Sequence, residues 1–152
     1  MNAPVTADRH AARRVASARS MTRKLALQAL YRLQLNEAPW QDLMTEFADA
    51  DGMERADSEY FRALIEGVWR ARTELDALMQ PWLDREPAQL DPTEHAVLFI
   101  AIFELRERPD VPFRVIIHEA VNLARKFGGT DGHKFVNAVL DRAARELRPG
   151  ER

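Results

Sequence analysis

A chain of 152 residues, 46% hydrophobic and 30% charged, can build one domain with a real core and is too short for two comfortable ones. Without cysteine it can form neither a disulfide frame nor a thiolate metal site, and no stretch has signal-peptide or membrane-spanning character, so a cytoplasmic protein is expected. The net charge of −2 hides an asymmetry, because Arg9, Arg13, Arg14, Arg19, Arg23 and Lys24 face Asp8 alone in the first 24 residues, making a basic arm on an acidic body.

Residues 1–18 hold little apolar content beyond Ala and Val, which predicts a mobile arm that folds when bound. Charge alone fits either a polyanionic partner for this arm or a solubilising tail. From Ser20 the pattern turns helical, with Leu25, Ala26, Ala29, Leu30 and Leu33 on one stripe. Tyr31 lies off that stripe and shares the opposite face with Lys24 and Gln28, either as a core-edge aromatic or as part of a contact surface. Pro39 opens a second helix with Trp40, Leu43, Met44 and Phe47 on its apolar side, and residues 49–56 read as a loop. Asp57 or Ser58 caps a long third helix whose apolar residues recur at three and four from Phe61 to Met79, and Pro81 ends it.

The central element is LDPTEHAVLFIAIFEL, Leu90 to Leu105. Asp91 supplies a cap, Pro92 fits the first helical position, and Glu94 stands at capping-box spacing. Val97 to Phe103 are apolar around the whole axis, so this helix must be surrounded by others. The turn RERPDVP follows, then a helix from about Phe113 to Phe127, which Gly128 and Gly129 end through positive φ. Asp131 caps the last helix, with Val136, Val139, Leu140, Ala143 and Leu147 inward and Phe135 about a quarter turn off that stripe. No stretch alternates like a strand, so the fold class is all-α.

The chemistry of most enzyme classes has no foothold here. His118 and Glu119 lack HExxH spacing, Gly128–Gly129 lacks the residues of a phosphate loop, and no serine sits in a nucleophile elbow. A binding module without cofactor or metal is expected instead. The segment KFGGTDGHKFVN gathers Lys126, His133, Lys134, Phe135 and Asn137, more cation and aromatic than a helix corner needs. Cations beside an off-stripe ring suit single-stranded nucleic acid, with base stacked on ring and ammonium against phosphate, although Phe135 could equally pack on a neighbouring helix.

ARSMTRKLALQALYRLQL from Ala18, the central helix, and RPDVPFRVIIHEAVNLARKFGGTDGHKFVNAVLD together resemble the transcription antitermination factor NusB family, over roughly Ala18 to Leu147. The resemblance implies one all-α domain at residues 19–148, of six to seven helices in two packed bundles, behind a mobile basic arm at 1–18. It implies binding to the boxA element of nascent RNA together with NusE, a small-subunit ribosomal protein, and action with other Nus factors on RNA polymerase to suppress termination on ribosomal RNA operons. Carried over by position, it makes Arg19, Arg23 and Lys24 RNA-contacting candidates, with Arg13 and Arg14 upstream of the matched block. Gln28, Asp131, Lys134 and Phe135 join the RNA side, while Tyr31 and Glu94 fall where the family meets NusE. Two departures stand out. Ser20 and Met21 interrupt what is often a continuous arginine run, shifting the expected contact toward Arg13 and Arg14, and Phe99 stands where a basic residue is common. The fold also resembles the N-terminal domain of some ribosomal RNA cytosine methyltransferases, but a chain stopping at Arg152 has no room for a methyl-donor domain. The remaining alternative is a protein-interaction scaffold or homodimer with an incidental basic tail.

Overall fold

Asp91 opens the helix on which the others converge, its carboxylate accepting from the amides of Thr93 at 2.8 Å and Glu94 at 3.3 Å. The computed structural model describes residues 5–151, with side chains from Asp8 onward, and in it this helix, α5, runs Pro92–Glu107. The other helices are α1 (Val5–Leu35), α2 (Trp40–Glu46), α3 (Ser58–Arg70), α4 (Arg72–Met79), α6 (Phe113–Phe127) and α7 (Gly132–Leu147). Seven α-helices and no strand among the described residues make the fold all-α.

α5 packs against α1, α3, α4, α6 and α7. It therefore belongs to both halves of the fold: α1, α2 and α3 gather on one side, α6 and α7 on the other, and α4 lies along it. The run that is apolar on every side is buried without a break from Ala96 to Ile102. At roughly 1.5–3 kcal/mol for each large apolar side chain removed from water, this segment supplies more core than any capping bond can. Phe103 is half-buried where α3 comes closest: a β-carbon on Gly67 would lie 2.4 Å from its ring, so only glycine lets the two helices approach here. Phe99 is buried and stacks on His95 with ring centroids 4.2 Å apart, so that position is an apolar one in this chain.

Five local expectations need correction. Helical backbone begins at Val5, not Ser20, so the arm is the first half of a 31-residue helix; residues 1–4 lie outside the described part. The physical reason is that ADRHAARRVASAR is rich in good helix formers and extends an existing helix, which avoids the cost of a new nucleus. The long third helix is broken at Ala71 into α3 and α4. The apolar periodicity crosses the break because both pieces bury their stripes on one core, and the Arg72 guanidinium marks the corner, bonded to the Trp69 carbonyl and lying 4.3 Å from its ring centre.

Gly128 is not in the left-handed region, its φ being −85°; a β-carbon there would instead meet the Ala124 carbonyl oxygen at 2.6 Å. The positive φ falls on Asp131, at 64°, a conformation Asp tolerates better than most residues. In that geometry the Asp131 side chain makes no capping bond. Its carbonyl accepts from the amides of Lys134 and Phe135, and its carboxylate pairs with Lys134 at 3.2 Å. The capping box at α5 is likewise incomplete, because Glu94 turns toward Gly132 at the start of α7.

The C-terminal turn closes the fold. Buried Arg148 donates to the carbonyls of Leu105 and Arg108 at 2.8 Å, Val111 at 3.0 Å and Glu104 at 3.2 Å, tying the end of α5 to the turn that follows it. Glu151, bonded to Arg148, accepts from the Phe113 amide at 2.7 Å and so caps the start of α6. Among the described residues no helix is long and apolar enough to cross a membrane.

Candidate nucleic-acid interface

The basic face of α1 divides into cations that point inward and cations that point out. Arg23 points inward and is 3% exposed. Its guanidinium forms two bonds of 2.8 Å to buried Glu104 and one of 2.9 Å to Glu119. Tyr60 donates its hydroxyl to Glu104, and Ser20 donates to Glu119. Burial works against the charge on Arg23, but the bonds and charge of Glu104 outweigh it and hold the guanidinium above its ordinary value. Burial pushes the Tyr60 phenol up, and the neighbouring Glu104 carboxylate pushes it further. Arg23 is thus corrected from an RNA-contacting candidate to a core ion pair, since its donors are taken by buried Glu104 and by partly exposed Glu119.

Arg19 is partly withdrawn as well. It lies 4.3 Å from the Tyr60 ring centre and pairs with Asp110 at 3.7 Å, while Arg108 holds the same carboxylate at 3.1 Å. Arg13 and Arg14 stand on the exposed half of α1.

Between α1 and the end of α6 runs a groove of about 380 Å³, lined by Ser17, Ser20, Lys24, Asn122 and Lys126, with Arg55 from the loop before α3. Neither Lys24 nor Lys126 has an ion-pair partner among the described residues, and the contact of Arg55 with Glu54 is loose and exposed at 3.8 Å. Phe127, 41% exposed, stands on the rim and also closes a second hollow of about 250 Å³ with Leu27, Gln28, Tyr31 and Thr93. The shared outer face of Lys24, Gln28 and Tyr31 is therefore observed, and Tyr31 is 39% exposed rather than sunk in the core.

The other corner gathers Glu94, Asp131, Lys134 and Phe135 around the start of α7. Phe135 is half-buried against the core, and the Arg85 guanidinium lies 4.6 Å from its ring centre, itself held by Asp84 at 2.7 Å. Lys134 is exposed. Burial, and then the nearby Asp91 carboxylate, raise the Glu94 carboxyl above the ordinary range, with Arg85 opposing them. The start of α5 joins the two corners, since Thr93 lines the Tyr31 hollow and Glu94 touches Gly132.

The sequence missed Arg55 and Asn122. Arg55 sits in a stretch without periodicity, and Asn122 looks like any polar residue of a helix face. Lys126 stood out in sequence, but the exposure of Phe127 did not, because α6 periodicity places it partly inward. Among the described residues no group of three or more His, Asp or Glu side chains could hold a metal ion. His118 is exposed and engages Asn122 at 3.1 Å.

An all-helical domain whose surface pairs a groove holding two unpaired lysines with exposed aromatic rings has the character of a binding module for a polyanion. The NusB family profile matches residues 20–145, and the chain belongs to the NusB family. It is 48% identical over 133 residues to the transcription antitermination protein NusB of Hahella chejuensis, covering 88% of this chain and 89% of that protein. With its counterpart in Methylobacillus flagellatus it shares 47% identity over 133 residues, 88% of this chain and 86% of that one. Among solved structures it resembles T. maritima NusB with a TM-score of 0.78 at 28% identity, covering 87% of this chain and 94% of that one. It shares the fold of a chain in the complex of antitermination factors NusB and NusE with double-stranded RNA, with a TM-score of 0.76 at 23% identity over 84% and 96% of the two chains.

Proposed function

We propose that this protein is a non-enzymatic RNA-binding antitermination factor of the cytoplasm. It binds the boxA element of nascent ribosomal RNA operon transcripts together with NusE and, through other Nus factors, suppresses termination by RNA polymerase. Residues 1–18 act as the basic arm and 19–148 as the RNA-binding domain. The observation that carries this reading is the groove beside α1, where Lys24 of α1 and Lys126 of α6 have no ion-pair partner among the described residues and Arg55 is held only loosely by Glu54. Membership of a family whose named relatives are antitermination proteins supports the same direction. Arg13, Arg14, Arg19 and Lys24 meet phosphate, Gln28, Asp131, Lys134 and Phe135 border the strand, and Tyr31 with Glu94 faces NusE.

The test is a fluorescence titration of a boxA-like strand and a scrambled strand of equal length, with and without NusE. Tighter binding to the boxA strand, strengthened by NusE, is the expected result. Each neutralised phosphate adds about −0.7 to the slope of log affinity against log salt, so Arg13→Ala with Arg14→Ala flattens the slope by about 1.4. Equal weak binding to both strands, indifferent to NusE, would overturn the reading and leave a protein-interaction scaffold.

A further inference from the structure

We propose that Lys126 and Phe127 form a nucleotide subsite: the sugar–phosphate backbone of RNA lies in the groove against Lys24, Arg55 and Lys126, and one base stacks on Phe127 in the hollow shared with Tyr31. The inference rests on the RNA-binding reading above and adds Arg55 and Phe127 to it, giving Lys126 of the glycine corner a defined place.

Cations outnumber carboxylates along the groove, Lys24, Arg55 and Lys126 with Arg23 against Glu119. The Glu119 carboxylate is bonded to Ser20 and Arg23, whereas Lys24 and Lys126 have no partner among the described residues. Unpaired Lys24 and Lys126, converging from α1 and α6 beside the loosely paired Arg55, hold a local potential that a phosphate chain relieves. These cations also replace what Ser20 and Met21 remove from the arm, and they do so across the groove rather than further upstream.

A lone exposed phenylalanine is ordinary. Phe127 is more informative, because it separates the cationic groove from a hollow whose opposite wall is the exposed ring of Tyr31. Consecutive residues thus put an ammonium group on one side of the rim and a ring on it, matching the phosphate and base of one nucleotide. Gln28 and Thr93 border the hollow and offer hydrogen-bonding groups to a base edge. Phe135 is the poorer platform, being half-buried with Arg85 already over its ring.

The experiment uses the full chain and a short single-stranded boxA-like RNA, followed by anisotropy across a salt series. Phe127→Ala is expected to weaken binding about 5- to 150-fold, the range for one lost base stack. Arg55→Ala with Lys126→Ala is expected to flatten the salt slope by about 1.4. Scanning the RNA with single abasic sites identifies the stacked nucleotide, because at that position the Phe127→Ala effect disappears. Phe127 and both cations are exposed, and thermal melting of each variant verifies folding. Wild-type affinity and slope in all three substitutions, alongside weakened binding in the Arg13→Ala/Arg14→Ala variant, would overturn the subsite while leaving the RNA-binding function standing. No binding by the wild-type chain would remove both.

Discussion

Arg23 carries its charge to a place that water does not reach, and Glu104, 1% exposed, is the reason it stays. Breaking such a pair from one side costs more than the pair contributes, because the surviving charge is left buried. Arg23→Met is therefore expected to destabilise the fold by about 3–5 kcal/mol in urea unfolding, and replacing Glu104 by Gln in the same chain recovers part of that loss. A loss below about 1 kcal/mol would mean that the Tyr60 hydroxyl alone satisfies Glu104. Glu94 makes the opposite kind of statement. Its carboxyl is raised, first by burial and then by Asp91, so the folded chain binds that proton more tightly than the unfolded one. The stability it contributes is complete below the ordinary carboxylate range and is lost as pH rises through the raised value. Glu94→Gln removes this loss, so the stability of the variant relative to wild type should grow as pH rises above the ordinary carboxylate range and level off once Glu94 is fully ionised in the folded chain. The lowered carboxyls of Asp110, held by Arg108, and Glu151, held by the Phe113 amide, titrate in both proteins and cancel in the difference. A flat difference would show that Glu94 titrates like an exposed side chain. At this scale a charged residue's destination was the least legible feature of the sequence. Arg19, Arg23 and Lys24 look alike in the sequence, and only the partner brought over from α5 decides which one is buried.

The elements show where local chemistry is decisive and where it is overridden. α5 was legible because its cap, its length and its all-round apolar run agree. α3 and α4 were not separable, since the break at Ala71 has no proline or glycine and both pieces keep one periodicity. The end of α5 depends on a residue far along the chain that no pattern links to it. Arg148 answers four carbonyls at once, so Arg148→Ala should cost on the order of 3 kcal/mol and release the turn between α5 and α6. Hydrogen exchange tests this directly: the Arg108 and Val111 amides, bonded to Glu104 and Arg108 carbonyls, should exchange faster than those in the middle of α5. Unchanged protection at both amides would assign the turn to its own backbone bonds.

At the scale of the molecule, one helix shared by two bundles explains why the overall architecture could be read from sequence while the surface could not. A helix apolar on all sides permits few arrangements, and the helices around it supply the matching stripes. The groove depends on which side chains from α1, α6 and the loop before α3 happen to face one another, information that enters only once the helices are packed. The length of α1 carries a further consequence. A helix of 31 residues is a rod of about 46 Å, and its outer half displays Arg9, Arg13 and Arg14 at a fixed pitch of 1.5 Å and about 100° per residue. Such an arm works as a toothed rule rather than a flexible tether. Its charges keep a set phase relative to the groove at its base, so adding one residue between arm and body would turn the teeth away from the groove, whereas adding four would nearly restore their alignment.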